Sequence, residues 1–156
     1  MRMKRFYGVV TAVGVVSVAL ATTAIGAGSS QVKLQARMSA AQQDPPQVVT
    51  TPDAAGRFTA MLTRFAGGGG SLSWRLTYEK LSSPATFSYI FVPKRGKLGE
   101  LVIQLCKPCR SGAHGTLQLS PSVMRLFASP IRWVNIRTKR NPKGEIRGKI
   151  TTVAPS

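Results

Sequence analysis

The chain has 156 residues, and 22 Lys and Arg against 5 Asp and Glu give it a formal net charge of +17. That length admits one domain plus a terminal segment, and 43% hydrophobic content excludes disorder throughout. One histidine and five acids are a poor supply for acid–base or metal chemistry, whereas the charge excess favours anionic partners: nucleic acid, anionic lipid, or acidic glycans and wall polymers.

The chain opens with Arg2, Lys4 and Arg5, followed by an uncharged stretch from Gly8 to Gly28. This pattern predicts an export signal over 1–28, with Ala19-Leu20-Ala21 or Ile25-Gly26-Ala27 as the cleavage site. The other reading is an uncleaved anchor helix, since about 20 apolar residues span a bilayer. Either way the rest of the chain is expected outside the membrane, because positive charge stays on the cytoplasmic side. Residues 29–56 are rich in Ser, Ala, Gln, Thr and Pro and show no sustained periodicity, so they read as a flexible linker.

From Arg57 to Val153 the pattern predicts a β domain. Phe58 and Leu62 share a face, and Gly67–Gly70 makes a turn. Leu72, Trp74, Leu76 and Tyr78 alternate cleanly with polar residues. Further strands are expected over 85–92, 100–106, 115–120, 131–138 and 145–151. One helical turn over 121–127 has Ser120 as N-cap and Pro121 at its first position. About seven short strands with almost no helix predict an all-β fold, an antiparallel β-sandwich or Greek-key barrel.

The segment Trp133-Val134-Asn135-Ile136-Arg137-Thr138 alternates, stops at Asn141-Pro142-Lys143-Gly144, and alternates again through Glu145-Ile146-Arg147-Gly148-Lys149-Ile150. Two alternating runs joined by turn formers predict a hairpin. The same residues resemble the closing signature of the CHRD domain, the module first described in chordin: aromatic-Val-Asn-Val-His-Thr, then Asn-Pro-x-Gly-Glu-Ile-Arg-Gly. Upstream, Gly96 and Gly99 stand where that family has spaced glycines after a His-Ile-His motif. The resemblance runs from about residue 55 to 152. Tyr89 and Phe91 replace the two histidines of the first motif, and Arg137 replaces the histidine of the second. A metal or polar cluster built on those histidines is thus absent here, and packing or stacking is expected in its place. The resemblance implies an extracellular interaction module without enzymatic activity and without a cofactor. Asn135, Asn141, Gly144, Glu145, Arg147 and Gly148 are motif members with an expected structural role. Glu145 and Arg147 are expected on one strand face, in cross-strand pairs with Asn135 or Arg137.

Cys106-Lys107-Pro108-Cys109 is the chain's one cysteine pair. In an exported chain the first expectation is a local disulfide. A thiol–disulfide redox pair, and free or metal-binding thiols, are the other readings. No nucleophile elbow, phosphate loop or zinc-protease motif occurs. Lys94, Arg95 and Lys97 form one basic cluster; Arg132, Arg137, Lys139, Arg140, Lys143, Arg147 and Lys149 form another. These cations are candidate contacts for anionic polymers. The sequence therefore predicts a secreted or membrane-tethered, non-enzymatic binding module of the extracellular space or cell envelope, taking anionic polymers or an extracellular protein ligand. A redox protein using the cysteine pair, and a secreted nucleic-acid binder stacking bases on Trp133, Tyr89 and Phe91, are the alternatives.

Overall fold

The computed structural model describes residues 29–46, 51–94 and 97–154. The N-terminal segment read as a signal or anchor, and Arg95, lie outside the described residues. Nine strands are present among them: β1 (Ser30–Ser39), β2 (Ala55–Arg64), β3 (Gly70–Glu79), β4 (Ala85–Lys94), β5 (Lys97–Cys106), β6 (His114–Leu119), β7 (Trp133–Thr138), β8 (Ile146–Lys149) and β9 (Thr151–Thr152). One helix, α1 (Pro121–Phe127), joins β6 to β7.

All pairings are antiparallel. The strands form a single sheet in the order β5-β4-β7-β8-β1-β2-β3-β6, with β9 also on β1. The sheet curls into a nearly closed barrel, and α1 packs against both edge strands, β5 and β6. The all-β antiparallel expectation holds, with nine strands rather than about seven.

Alternation explains the core. Phe58 and Leu62 of β2, Leu72 and Leu76 of β3, Ile90 of β4, Val134 and Ile136 of β7, and Ile146 all point inward and are buried. Ser120 caps α1 by accepting from the Val123 amide at 3.3 Å, and Pro121 starts the helix. The helix is held to the barrel by Met124 and the fully buried Phe127.

The largest departure from the sequence reading is β1. The segment read as a flexible linker contains this strand, which pairs with β2 along ten positions from Ser30↔Arg64 to Ser39↔Ala55. Leu34, Ala36 and Met38 point into the core at 2–3% exposure, while Lys33, Gln35 and Arg37 face out. The period-2 signal is present but muted. Ala36 is small, and polar residues flank the strand on both sides. Without β1, strands β2 and β8 would each be left with an open edge.

Candidate functional site: a cationic hairpin beside an aromatic ladder

Strands β7 and β8 form the hairpin the sequence predicts, with Ile136 opposite Ile146, Asn135 opposite Arg147 and Trp133 opposite Lys149. Val134, Ile136 and Thr138 face inward. Gly144 adopts φ +140°, where an L side chain is strained, and a Cβ there would meet the Asn135 side chain at 2.6 Å. Gly148 is needed for a different reason. A Cβ there would run into the Arg37 carbonyl, so glycine lets β8 close onto β1.

Glu145 is fully buried. Its carboxylate accepts from the Ser82 amide (2.5 Å) and hydroxyl (2.8 Å), the Thr138 hydroxyl (2.6 Å) and the Asn141 amide group (3.1 Å). Burial alone raises its pKa, but the hydrogen bonds from Thr138, Ser82 and Asn141 together outweigh that and hold the carboxyl below the usual glutamate value. The sequence places Glu145 on the face of Arg147, paired across the strands with Asn135 or Arg137. Instead the chain turns at Gly144, β8 begins only at Ile146, and Glu145 points under the loop toward Ser82. The sole ion pair among the described residues is Lys80–Asp53.

The outward face of the same strands carries an aromatic ladder. Phe87, Tyr89 and Phe91 on β4 stand opposite Arg137, Asn135 and Trp133 on β7. Ring centroids are 5.2 Å apart for Phe87–Tyr89 and 5.7 Å for Tyr89–Phe91. The Arg137 guanidinium lies over Tyr89 (4.6 Å) and Phe87 (5.6 Å), and donates to the Tyr89 hydroxyl at 3.2 Å. The Arg147 guanidinium lies over Trp133 at 4.3 Å. Burial lowers its pKa, against the attraction of Asp44 and Tyr89. Asn135 is buried, its side chain accepting from Gln43 (3.0 Å) and donating to the Tyr89 hydroxyl (3.3 Å). Tyr89, Phe91 and Arg137, the three positions that the resemblance reads as substituted histidines, converge on one surface.

The predicted cations separate into three groups. Lys139, Arg140 and Lys143 are exposed at the hairpin tip, and Lys149 is exposed on β8. Arg132 does not belong with them. It is 8% exposed, donates to the Phe127 carbonyl at 2.8 Å and lies over the Phe127 ring, so it ties β7 to the end of α1. Lys94 is the backbone register partner of Lys97 between β4 and β5, beyond Phe91, at the Trp133 end of β7 and away from the hairpin tip. Lys139, Arg140 and Lys143 thus lie at one end of β7, while Lys149 and Arg132 of the same sequence cluster lie at the other, toward Lys94 and Lys97.

Cys106 and Cys109 form a disulfide (S–S 2.14 Å) at the end of β5, with a turn rather than a helix after it. Among the described residues no group of three or more His, Cys, Asp or Glu lies together. No helix among them is long and apolar enough to cross a membrane. Phe87, Ser82 and Gln43 are members of the site that sequence reasoning does not single out. Phe87 continues the alternation of Tyr89 and Phe91 and is legible in it. Ser82 and Gln43 act through contacts 63 and 92 residues away, which no local pattern marks.

The family model of the CHRD domain matches residues 34–150. The chain belongs to the CHRD family. CHRD domains occur in extracellular proteins and are, as a family, non-enzymatic modules. The match begins within β1, so the CHRD fold includes part of the segment read as a linker. No curated protein and no solved structure matches the chain.

Proposed function

We propose that this chain is an exported, non-enzymatic CHRD module, secreted or tethered by its N-terminal segment, that binds anionic polymers of the extracellular space or cell envelope through the β7–β8 hairpin. One observation carries the reading. The only carboxylate of the hairpin, Glu145, is turned inward and held by neutral donors, so it does not neutralise Arg137, Lys139, Arg140 or Lys143. A cationic surface without countercharges on a rigid hairpin attracts polyanions, and the attraction is screened by salt.

Nucleic-acid binding by base stacking is less well supported. Arg137 and Arg147 already cover faces of Tyr89 and Trp133, and Tyr89 is only 7% exposed. The test is retention of the protein on a heparin matrix. Elution should move to clearly lower salt in the R137Q/K139Q/R140Q/K143Q variant, and unchanged elution rejects the hairpin as the binding surface.

A further inference from the structure

We infer that the outward face of β8, β1, β2 and β3 is a second contact surface, for a linear anionic glycan lying across the strands, with Arg37 and Arg57 at its centre. The inference rests on the proposed polyanion-binding reading and extends it to a face where Arg147 and Lys149 of the second sequence cluster meet Arg37, Arg57 and Arg75, which belong to neither cluster.

Strand register carries the argument. Arg37 stands directly opposite Arg57. The pairs Ser39↔Arg147 and Gln35↔Thr151 belong to one register, which sets Lys149 opposite Arg37. Lys149, Arg37 and Arg57 therefore form a row across three neighbouring strands, on one face of the sheet. Arg147 stands one step along on β8, and Arg75 stands diagonal to Arg57 on β3. Lys149, Arg37, Arg57 and Arg75 are all exposed. Adjacent strands lie about 4.8 Å apart, so the row repeats positive charge at about that interval over about 10 Å.

Like charges placed directly opposite each other destabilise a sheet. Two acids stand nearby: Glu79 is diagonal to Arg57 and lines the same groove as Arg37 and Arg57, and Asp44 attracts Arg147. Against them Lys149, Arg147, Arg37, Arg57 and Arg75 leave the face with an excess of positive charge. The tight closure of β8 onto β1 at Gly148 is what brings Lys149 beside Arg37. A fixed row of cations in excess over its neighbouring acids, on a rigid sheet, is preorganised for an extended anion. Gln35, Thr59 and Thr77 flank the arginines and can hydrogen-bond sugar hydroxyls. The aromatic at the row's end, Trp133, lies under Arg147 and offers no open stack for a base.

The test compares R37Q/R57Q with R137Q/K139Q/R140Q/K143Q in the full chain, by titration with heparin fragments over a range of salt. Each cation that contacts the polymer contributes about one unit to the slope of log affinity against log salt, by analogy with nucleic acid. The double variant should bind at least about tenfold more weakly and lose about two units of slope. Its melting temperature without heparin should be equal to or above that of the parent, because a like-charge pair has been removed. Unchanged affinity and slope in the double variant, with loss in the quadruple, confines binding to the hairpin tip and overturns this inference alone. No loss in either variant overturns the proposed function as well. Tighter binding of single-stranded DNA than of heparin overturns the glycan assignment.

Discussion

The Arg137 guanidinium sits 4.6 Å from the centroid of the Tyr89 ring and donates to that ring's hydroxyl at 3.2 Å. The two side chains touch, although 48 residues separate them in the chain. They form a planar guanidinium stacked on an aromatic ring. The Tyr89 hydroxyl also accepts from Asn135, so one phenol joins the cation to the buried amide beneath it.

The stacked pair is open to mutation. Tyr89→Phe keeps the ring but removes the acceptor shared by Arg137 and Asn135, and should destabilise the fold by about 1–2 kcal/mol. Arg137→Lys keeps the charge and loses the planar stack, with an expected loss of about 0.5–1 kcal/mol. Urea denaturation of the two variants checks both values.

Glu145 makes stability depend on acid. Its pKa is lowered in the fold by hydrogen bonds from Thr138, Ser82 and Asn141 that outweigh burial. The unfolded chain therefore takes up the proton first as pH falls. The contribution is fully present above the ordinary glutamate value of about 4.3 and is lost as pH falls through the lower folded value. Denaturation midpoints of the parent should fall below about pH 4.3, and Glu145→Gln should flatten that limb. Equal acid sensitivity in the two proteins would contradict this assignment.

The hairpin glycines should not tolerate alanine. At Gly144 the backbone is in the positive-φ region and a Cβ meets Asn135 and Gln43; at Gly148 it meets the Arg37 carbonyl. Each substitution should destabilise by about 2 kcal/mol or more. Exposed Gly67 has nothing within 4 Å of a Cβ and φ outside the positive region, so its alanine variant is the control, with little expected change.

Strand β1 should behave as core. Leu34→Ala should cost about 2–5 kcal/mol, because Leu34 is buried against the barrel interior. A change below about 0.5 kcal/mol, as for a solvated linker, would contradict the placement of β1 between β2 and β8.

The readability of the fold follows the size of the inward side chains. β3 and β7 alternate Leu, Trp, Val and Ile against polar residues, and their faces are plain. β1 alternates too, but on Leu34, Ala36 and Met38 between polar flanks, and it passes for a linker. The Asn-Pro-x-Gly loop is readable as a turn, whereas the inward direction of Glu145 depends on the Gly144 backbone and on a serine in another loop. The cationic surface is readable as charge but not as geometry. Nothing local shows that Arg132 ties down α1, or that Arg37 meets Arg57, because those facts belong to packing and register.

The central claim is that the inward turn of Glu145 leaves a cationic hairpin free to hold polyanions. Heparin affinity measured against salt for the parent and R137Q/K139Q/R140Q/K143Q tests it most directly. The expected result is steep salt dependence in the parent, and in the variant a shallower slope with at least about tenfold weaker binding at about 0.15 M salt. Equal affinity and equal slope in the two proteins would contradict it.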